Sequence, residues 1–177
     1  IGYKRPNVLD KEDVLFDVLS TLLSSGRTSL LNKELVQDKK IALEAQAISS
    51  FPGGRRENLF LVFLVPNAGK STEECEKAAY EIFERLKTEK ITDEQLKRVK
   101  TLLRAGVIRG LDSNSGMAQN LVTTKALFGD WRMLFKQLDD IEKVTADDVM
   151  AAAKKYLTQK TRTVASTSQP APQQAKK

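Results

Sequence analysis

The chain of 177 residues contains no histidine. Without an imidazole, neither a Ser-His-Asp relay nor a Cys-His nucleophile pair can be assembled within it. Every zinc site that draws on histidine ligands is excluded on the same ground. Cysteine is reduced to Cys75, so an intrachain disulfide is impossible. That shortage says little about compartment, because many exported bacterial proteins also lack disulfides. With nothing to activate it, Cys75 reads as a buried, inert thiol on the apolar face of a helix. Long apolar runs are missing too: the longest, residues 59–65, falls well short of the roughly 20 residues that span a bilayer. The opening Ile1-Gly2-Tyr3-Lys4-Arg5-Pro6 has no methionine and no secretory pattern. A piece cut from a longer chain is expected, with any address signal on the part removed.

What is present is ordinary globular composition, 41% hydrophobic and 29% charged. The length suits one domain, or at most two small ones. Twenty-nine basic and 23 acidic residues leave a net charge of +6. Such a balance permits nucleic-acid binding without requiring it.

Residues 3–5 read as the end of a strand, with Pro6-Asn7 as the turn after it. Asp10 is placed as an N-cap, followed by a helical stripe of Val14, Leu15, Val18, Leu19, Leu22 and Leu23 that Gly26 stops. A short helix follows, capped by Thr28 or Ser29, with Leu31 and Leu35 buried. Residues 41–51 alternate as a strand that puts Ile41, Leu43, Ala45 and Ala47 on one face. Pro52-Gly53-Gly54 turns the chain into residues 59–65, which are apolar on both faces, as in a central strand. The two make a hairpin.

Helices dominate the remainder. Ser71-Thr72-Glu73-Glu74 and Thr92-Asp93-Glu94-Gln95 are capping boxes, and Thr145-Ala146-Asp147-Asp148 caps a third helix. Residues 112–115 mark a break, and helices are predicted over residues 117–128 and 131–138. Residues 161–165 return as a last strand. The fold class is therefore α+β: a mixed or antiparallel sheet with helices packed on one face. Residues 1–165 form a single αβ domain, and residues 166–177, rich in Gln, Pro, Ala and Lys, a disordered tail.

Two patterns suggest other chemistry. Gly69-Lys70-Ser71-Thr72 follows a strand and opens a helix, as a phosphate loop does. That loop needs a glycine five residues earlier, where Leu64 stands, so a loop with a capping box accounts for it. Lys97, Arg98, Lys100, Arg104 and Arg109 make one helix basic. A nucleic-acid footprint is conceivable, but acidic neighbours and the lack of interleaved aromatics favour a solvated face. The acidic residues sit at helix starts, where capping explains them better than a carboxylate-only metal site. Gly106 and Gly110 lie on one side of the same helix and imply close packing of another element, or a helix break.

The segment Leu19-Ser20-Thr21-Leu22-Leu23-Ser24-Ser25-Gly26-Arg27-Thr28-Ser29-Leu30-Leu31-Asn32-Lys33-Glu34-Leu35-Val36 closely resembles the start of the second domain in insulinase/pitrilysin-type zinc peptidases. The strand at Gly2-Tyr3-Lys4-Arg5-Pro6, the hairpin, the helical run and the Val-Thr-x-x-Asp-Val element at residues 144–149 follow that family's order. The resemblance spans about residues 1–166. It implies the C-terminal, non-catalytic domain of a metalloendopeptidase, closing with similar domains around a chamber for unfolded peptide. It implies no cofactor in this piece, with zinc held by an H-x-x-E-H motif in an upstream catalytic domain or a separate catalytic subunit. Peptide would be the substrate, and the full protein a dimer.

Active members place an Arg and a Tyr seven residues apart to hold substrate. The matching positions are Val36 and Leu43, neither of which can donate a side-chain hydrogen bond. Leu30 and Asn32 likewise stand where an Arg and a Tyr are common. These departures fit a branch that clamps differently, or a structural assembly subunit of the same fold, as in respiratory complexes. A basic nucleic-acid-binding domain is the remote alternative. Related bacterial proteins imply a periplasmic or secreted address, with a cytoplasmic one left open.

Overall fold

The computed structural model describes residues 1–167. The predicted tail at residues 166–177 lies almost wholly outside them. Among the described residues, four strands form one sheet in the order β2-β3-β1-β4, and every pairing is antiparallel. Strand β1 (Gly2–Arg5) sets Tyr3 opposite Phe60 of β3 (Asn58–Pro66). The hairpin partner β2 (Ala42–Phe51) runs along the other side of β3. Strand β4 is only Arg162–Thr163 and pairs with β1. The predicted return strand thus exists but is shorter than residues 161–165, because a 3₁₀ turn over Gln159–Thr161 takes up its first residue.

Helix α1 (Asp13–Ser24) and helix α2 (Thr72–Thr88) carry the main apolar stripes. Phe16, Leu19, Leu22 and Leu23 from α1 and Ala79, Ile82 and Phe83 from α2 are buried. They meet Tyr3, Ala42, Ala45, Phe60 and Val62 from the sheet in one core cluster. Helix α6 (Ala146–Tyr156) adds Val149 and Ala153. The core thus lies on one side of the sheet, as the α+β reading requires. Helix α3 (Asp93–Gly110) buries only Val99, and α4 (Asn114–Phe128) only Thr124. Both predicted capping boxes form, at Ser71 and Thr92, and the predicted cap at Thr145 is a capping box as well.

Several expectations need correction. Asp10 does not cap α1. Its carboxylate accepts from the amide of Glu12 at 2.8 Å within the preceding turn, and the helix begins three residues later. The short helix over Asn32–Asp38 is a π-helix. Helix α5 runs Met133–Lys143, not residues 131–138, because Trp131 and Arg132 belong to a turn held by Asp130. Gly106 has open space around it. Close packing does occur at Gly110, as expected, where a Cβ would meet Asn120 at 3.1 Å, and also at Gly116, where it would meet the Gly110 carbonyl at 2.4 Å. Ends of α3 and α4 cross there.

The largest departure is in β2. Strict alternation would put Ile41, Leu43, Ala45 and Ala47 on one face. The ladder instead pairs Ala42 with Pro66 and Glu44 with Val65, leaving Leu43 as an extra residue. Such a bulge reverses the phase of the strand. Ala42 and Ala45 both turn inward, and Leu43 is 68% exposed. Strand β3 is central, as predicted, but only one of its faces is fully covered.

Phe16 stacks on Phe60 and Tyr156 at centroid distances of 5.9 and 4.8 Å, joining α1, the sheet and α6. Phe16→Ala is expected to cost about 3–5 kcal/mol in urea unfolding. Thr92→Ala, which removes a cap and no core contact, should cost about 1 kcal/mol.

Candidate functional site

Alternation along β3 buries Phe60 and Val62 and turns Leu59, Leu61 and Phe63 to the opposite face. The register places Ile48 beside Leu61 and Gln46 beside Phe63. Phe63 is 50% exposed, Phe51 46% and Ile48 37%. The result is an open sheet face with an apolar centre, flanked by the exposed Glu44, Gln46 and Lys4. Its outer strand, β2, is the last in the sheet, so among the described residues its far backbone groups have no strand partner. An extended peptide could add there, its side chains meeting the open face.

The two positions matched to substrate contacts fall differently. Val36, on the π-helix, is half-buried against the core. Leu43 stands on the bulge of β2 and projects into solvent. Asn32 serves the fold instead. Its amide donates to the Ser24 carbonyl at 2.8 Å and to Ser29 Oγ at 3.0 Å. That ties the π-helix to the end of α1.

The remaining motifs resolve into structural roles. Ser71 Oγ accepts from the Glu74 amide while Glu74 accepts from the Ser71 amide, and Lys70 pairs with Glu74 at 3.3 Å. The Gly-Lys-Ser-Thr stretch is therefore a capped helix start. On α3, Arg98 donates to the Ser25 carbonyl at 3.1 Å and Lys100 to the Glu142 carbonyl at 2.6 Å. Arg104 pairs with Glu142 at 4.0 Å. Three of the five basic side chains are thus engaged with protein. Cys75 is buried and its thiol donates to the Ile41 carbonyl at 3.2 Å. Burial pushes that thiol's pKa up, away from reactivity.

The donor set does not fit zinc. There is no histidine, the thiol is buried and hydrogen-bonded, and among the described residues no three Cys, Asp or Glu side chains group as metal ligands. No catalytic step by this chain can be derived through that metal.

Sequence reasoning missed a charged cluster at the end of the sheet. Arg5, 3% exposed, donates through Nη2 to Asp13, through Nη1 to the Ser49 carbonyl and through Nε to the Pro6 carbonyl. Its guanidinium also lies 4.2 Å from the Phe16 ring centroid. Asp17 stands one turn along α1 from Asp13. Desolvation, reinforced by repulsion from Asp13, pushes its pKa up to about 6. Asp13 is raised as well, chiefly by burial and against the pull of Arg5. The available signal was two acids four residues apart within an otherwise uncharged helix. Both line a cleft of about 710 Å³ between the β1–α1 loop and helices α5 and α6.

Against known proteins, residues 1–103 match the family described as the peptidase M16 inactive domain. The chain belongs to that family. This peptidase M16 inactive domain is 35% identical over 118 residues to the zinc protease PqqE of Helicobacter pylori, covering 67% of this chain and 26% of that one. It therefore spans about a quarter of that curated relative. A crystal structure of a protease from Helicobacter pylori superposes with a TM-score of 0.83 at 28% identity, over 90% of this chain and 38% of the other. The inactive peptidase domain of a Bordetella parapertussis protein gives 0.78 at 22% identity, over 92% and 86% respectively. That last likeness is one of fold. The insulinase/pitrilysin resemblance and the C-terminal, inactive character read from the sequence are both borne out.

Within the M16 domain, Arg5 is the cation that Asp13 pairs with. Arg5→Met leaves a buried carboxylate without that partner, and should cost about 3 kcal/mol or more in urea unfolding at pH 7. A loss below about 1 kcal/mol would show that the pair is solvated.

Proposed function

We propose that this chain is the non-catalytic half of a zinc metalloendopeptidase, and that its open sheet face lines part of a chamber for unfolded peptide. The observation that carries this reading is the apolar patch of Phe63, Ile48, Phe51 and Leu61 on a sheet face left without helix cover. Isolated domains normally hide such a surface, and a contiguous one marks a binding face. The free edge of β2 beside it suits an extended chain, whose backbone groups need partners. Zinc and the water-activating glutamate come from a catalytic domain, on the same chain or a separate subunit. Ile108, Met117, Val122 and Phe135, all exposed on α3, α4 and α5, offer apolar surface for that partner.

A second reading is a structural assembly subunit of the same fold. It is favoured by Val36 and Leu43, which cannot donate hydrogen bonds to a peptide carbonyl as Arg and Tyr would.

Reconstitution tests both. Alone, the chain should hydrolyse no peptide, with or without added zinc. Mixed with the domain that carries the H-x-x-E-H motif, it should restore hydrolysis of an unfolded peptide. Phe63→Asp, at a half-exposed position, should leave the circular dichroism spectrum intact and lower kcat/KM of the mixture about tenfold, the effect of losing about 1.4 kcal/mol of peptide contact. No restoration by wild-type chain would overturn the peptidase reading and favour the assembly subunit.

A further inference from the structure

We propose that the outer edge of β2 selects its guest: an extended peptide lying antiparallel to β2, with an apolar side chain opposite Ile48 and, four residues further on, a lysine or arginine opposite Glu44. This rests on the reading that the edge admits peptide, and adds which peptide is held and in which direction.

The ladder fixes which backbone groups are on offer. The Val62 amide donates to the Ile1 carbonyl at 2.7 Å, and the Val62 carbonyl accepts from the Ile1 amino group at 2.7 Å, so both face β1. In an antiparallel pair, residues directly opposite exchange both bonds or neither. Ala47, opposite Val62, therefore exchanges none with β3 and directs its N–H and C=O to the outer edge. Ala45, two residues earlier and opposite Leu64, does the same. Among the described residues only the Ala47 carbonyl has another partner there, the Ser24 hydroxyl at 3.3 Å, and a carbonyl has a second lone pair. A guest bonded to Ala45 and Ala47 sets its alternate residues opposite Glu44, Gln46 and Ile48. Those are non-hydrogen-bonded pairs, in which side chains lie closest. Every pairing in the sheet is already antiparallel, the more stable sense per residue.

The side chains differ at the two ends of this stretch. Ile48, beside Leu61, offers an apolar contact. At the other end Leu43 and Glu44 stand together, both exposed between the inward Ala42 and Ala45. Leu43 is firmly presented. Just ahead of it, the Ile41 amide donates to the Leu35 carbonyl at 2.9 Å, and the Ile41 carbonyl accepts from the Asn67 amide at 2.9 Å and the Cys75 thiol at 3.2 Å. The Lys40 carbonyl accepts from the Asn67 side chain at 3.1 Å. Glu44 is oriented by Gln46, whose side-chain amide donates to Oε1 at 2.5 Å. Its charge is unanswered: Lys33 and Lys39 are taken by Asp38 and Glu81, and among the described residues neither Lys40 nor Glu44 forms an ion pair. A lysine or arginine suits both neighbours at once, its aliphatic stem covering Leu43 while its charged head reaches Glu44. An acidic side chain in that place meets like charge directly opposite.

The test is nitrogen-15 NMR titration of the whole chain with short blocked peptides of serine and threonine. One carries isoleucine and, four residues later, lysine; a second has glutamate for the lysine; a third has the two residues in reverse order. The first should shift the Ala45 and Ala47 amide signals, slow their hydrogen exchange and bind about fivefold tighter than the second. That margin should fade as salt is raised to about 0.5 M. Glu44→Lys should invert the preference, and Leu43→Ser should weaken the first peptide about threefold while leaving the second unchanged. Equal binding of the lysine and glutamate peptides at Ala45 and Ala47, or a margin that survives Glu44→Lys, overturns the selection and leaves the peptide-binding edge standing. Equal binding of the reversed peptide overturns the direction. No response at either amide to any peptide overturns the edge itself as a docking place. Signals that broaden with chain concentration alone, without peptide, overturn the proposal in favour of a second copy pairing through β2.

Discussion

Everything in this domain depends on burying one face of a narrow sheet. A sheet of four strands, one of them only two residues long, must have its apolar face covered to be stable in water. The inner face supplies Tyr3, Ala42, Ala45, Phe60 and Val62, and α1 and α2 cover it with Phe16, Leu19, Ile82 and Phe83. Phe16 is the point where the requirements meet. Its ring touches Phe60 in the sheet and Tyr156 on the last helix, and its face carries the Arg5 guanidinium. Segments from opposite ends of the domain are thereby brought to one side chain. The other face of the sheet is free to serve a different purpose because this one holds the fold.

That division explains why fold and function separate so cleanly here. The chain's would-be reactive groups are largely taken up by the fold: there is no imidazole, the thiol donates to a carbonyl, and Glu74 and Asp148 complete helix caps. What the chain presents is shape and surface, namely an open apolar sheet face, a free strand edge and exposed apolar residues on thinly packed helices. Those attributes accord with membership in the peptidase M16 inactive-domain family.

Local signals in the sequence are legible where they act locally. Helix caps at Ser71, Thr92 and Thr145 need only four consecutive residues, and each forms where it was read. The stripe on α1 needs only helical periodicity. Misreadings arise where distant partners decide. The phase of β2 is set by its ladder with β3, so alternation alone puts Leu43 on the wrong face. Spacing marks Gly106 and Gly110 alike for a close contact, because it cannot show that α4 crosses at Gly110 alone of the two. The pairing of Arg5 with Asp13 depends on a strand meeting a helix start, which no window of sequence displays.

The bulge at Leu43 also limits what the free edge can accept. A second irregularity follows between Ile48 and Phe51, so the regular stretch of β2 covers only residues 44–48. An edge broken twice within ten residues resists the long, flat pairing that drives sheets of separate molecules to stack. It still leaves a short ruler, about five residues long, against which one extended segment can lie in register. The same two irregularities thus discourage flat stacking of sheets and bound the length of any strand that could pair there.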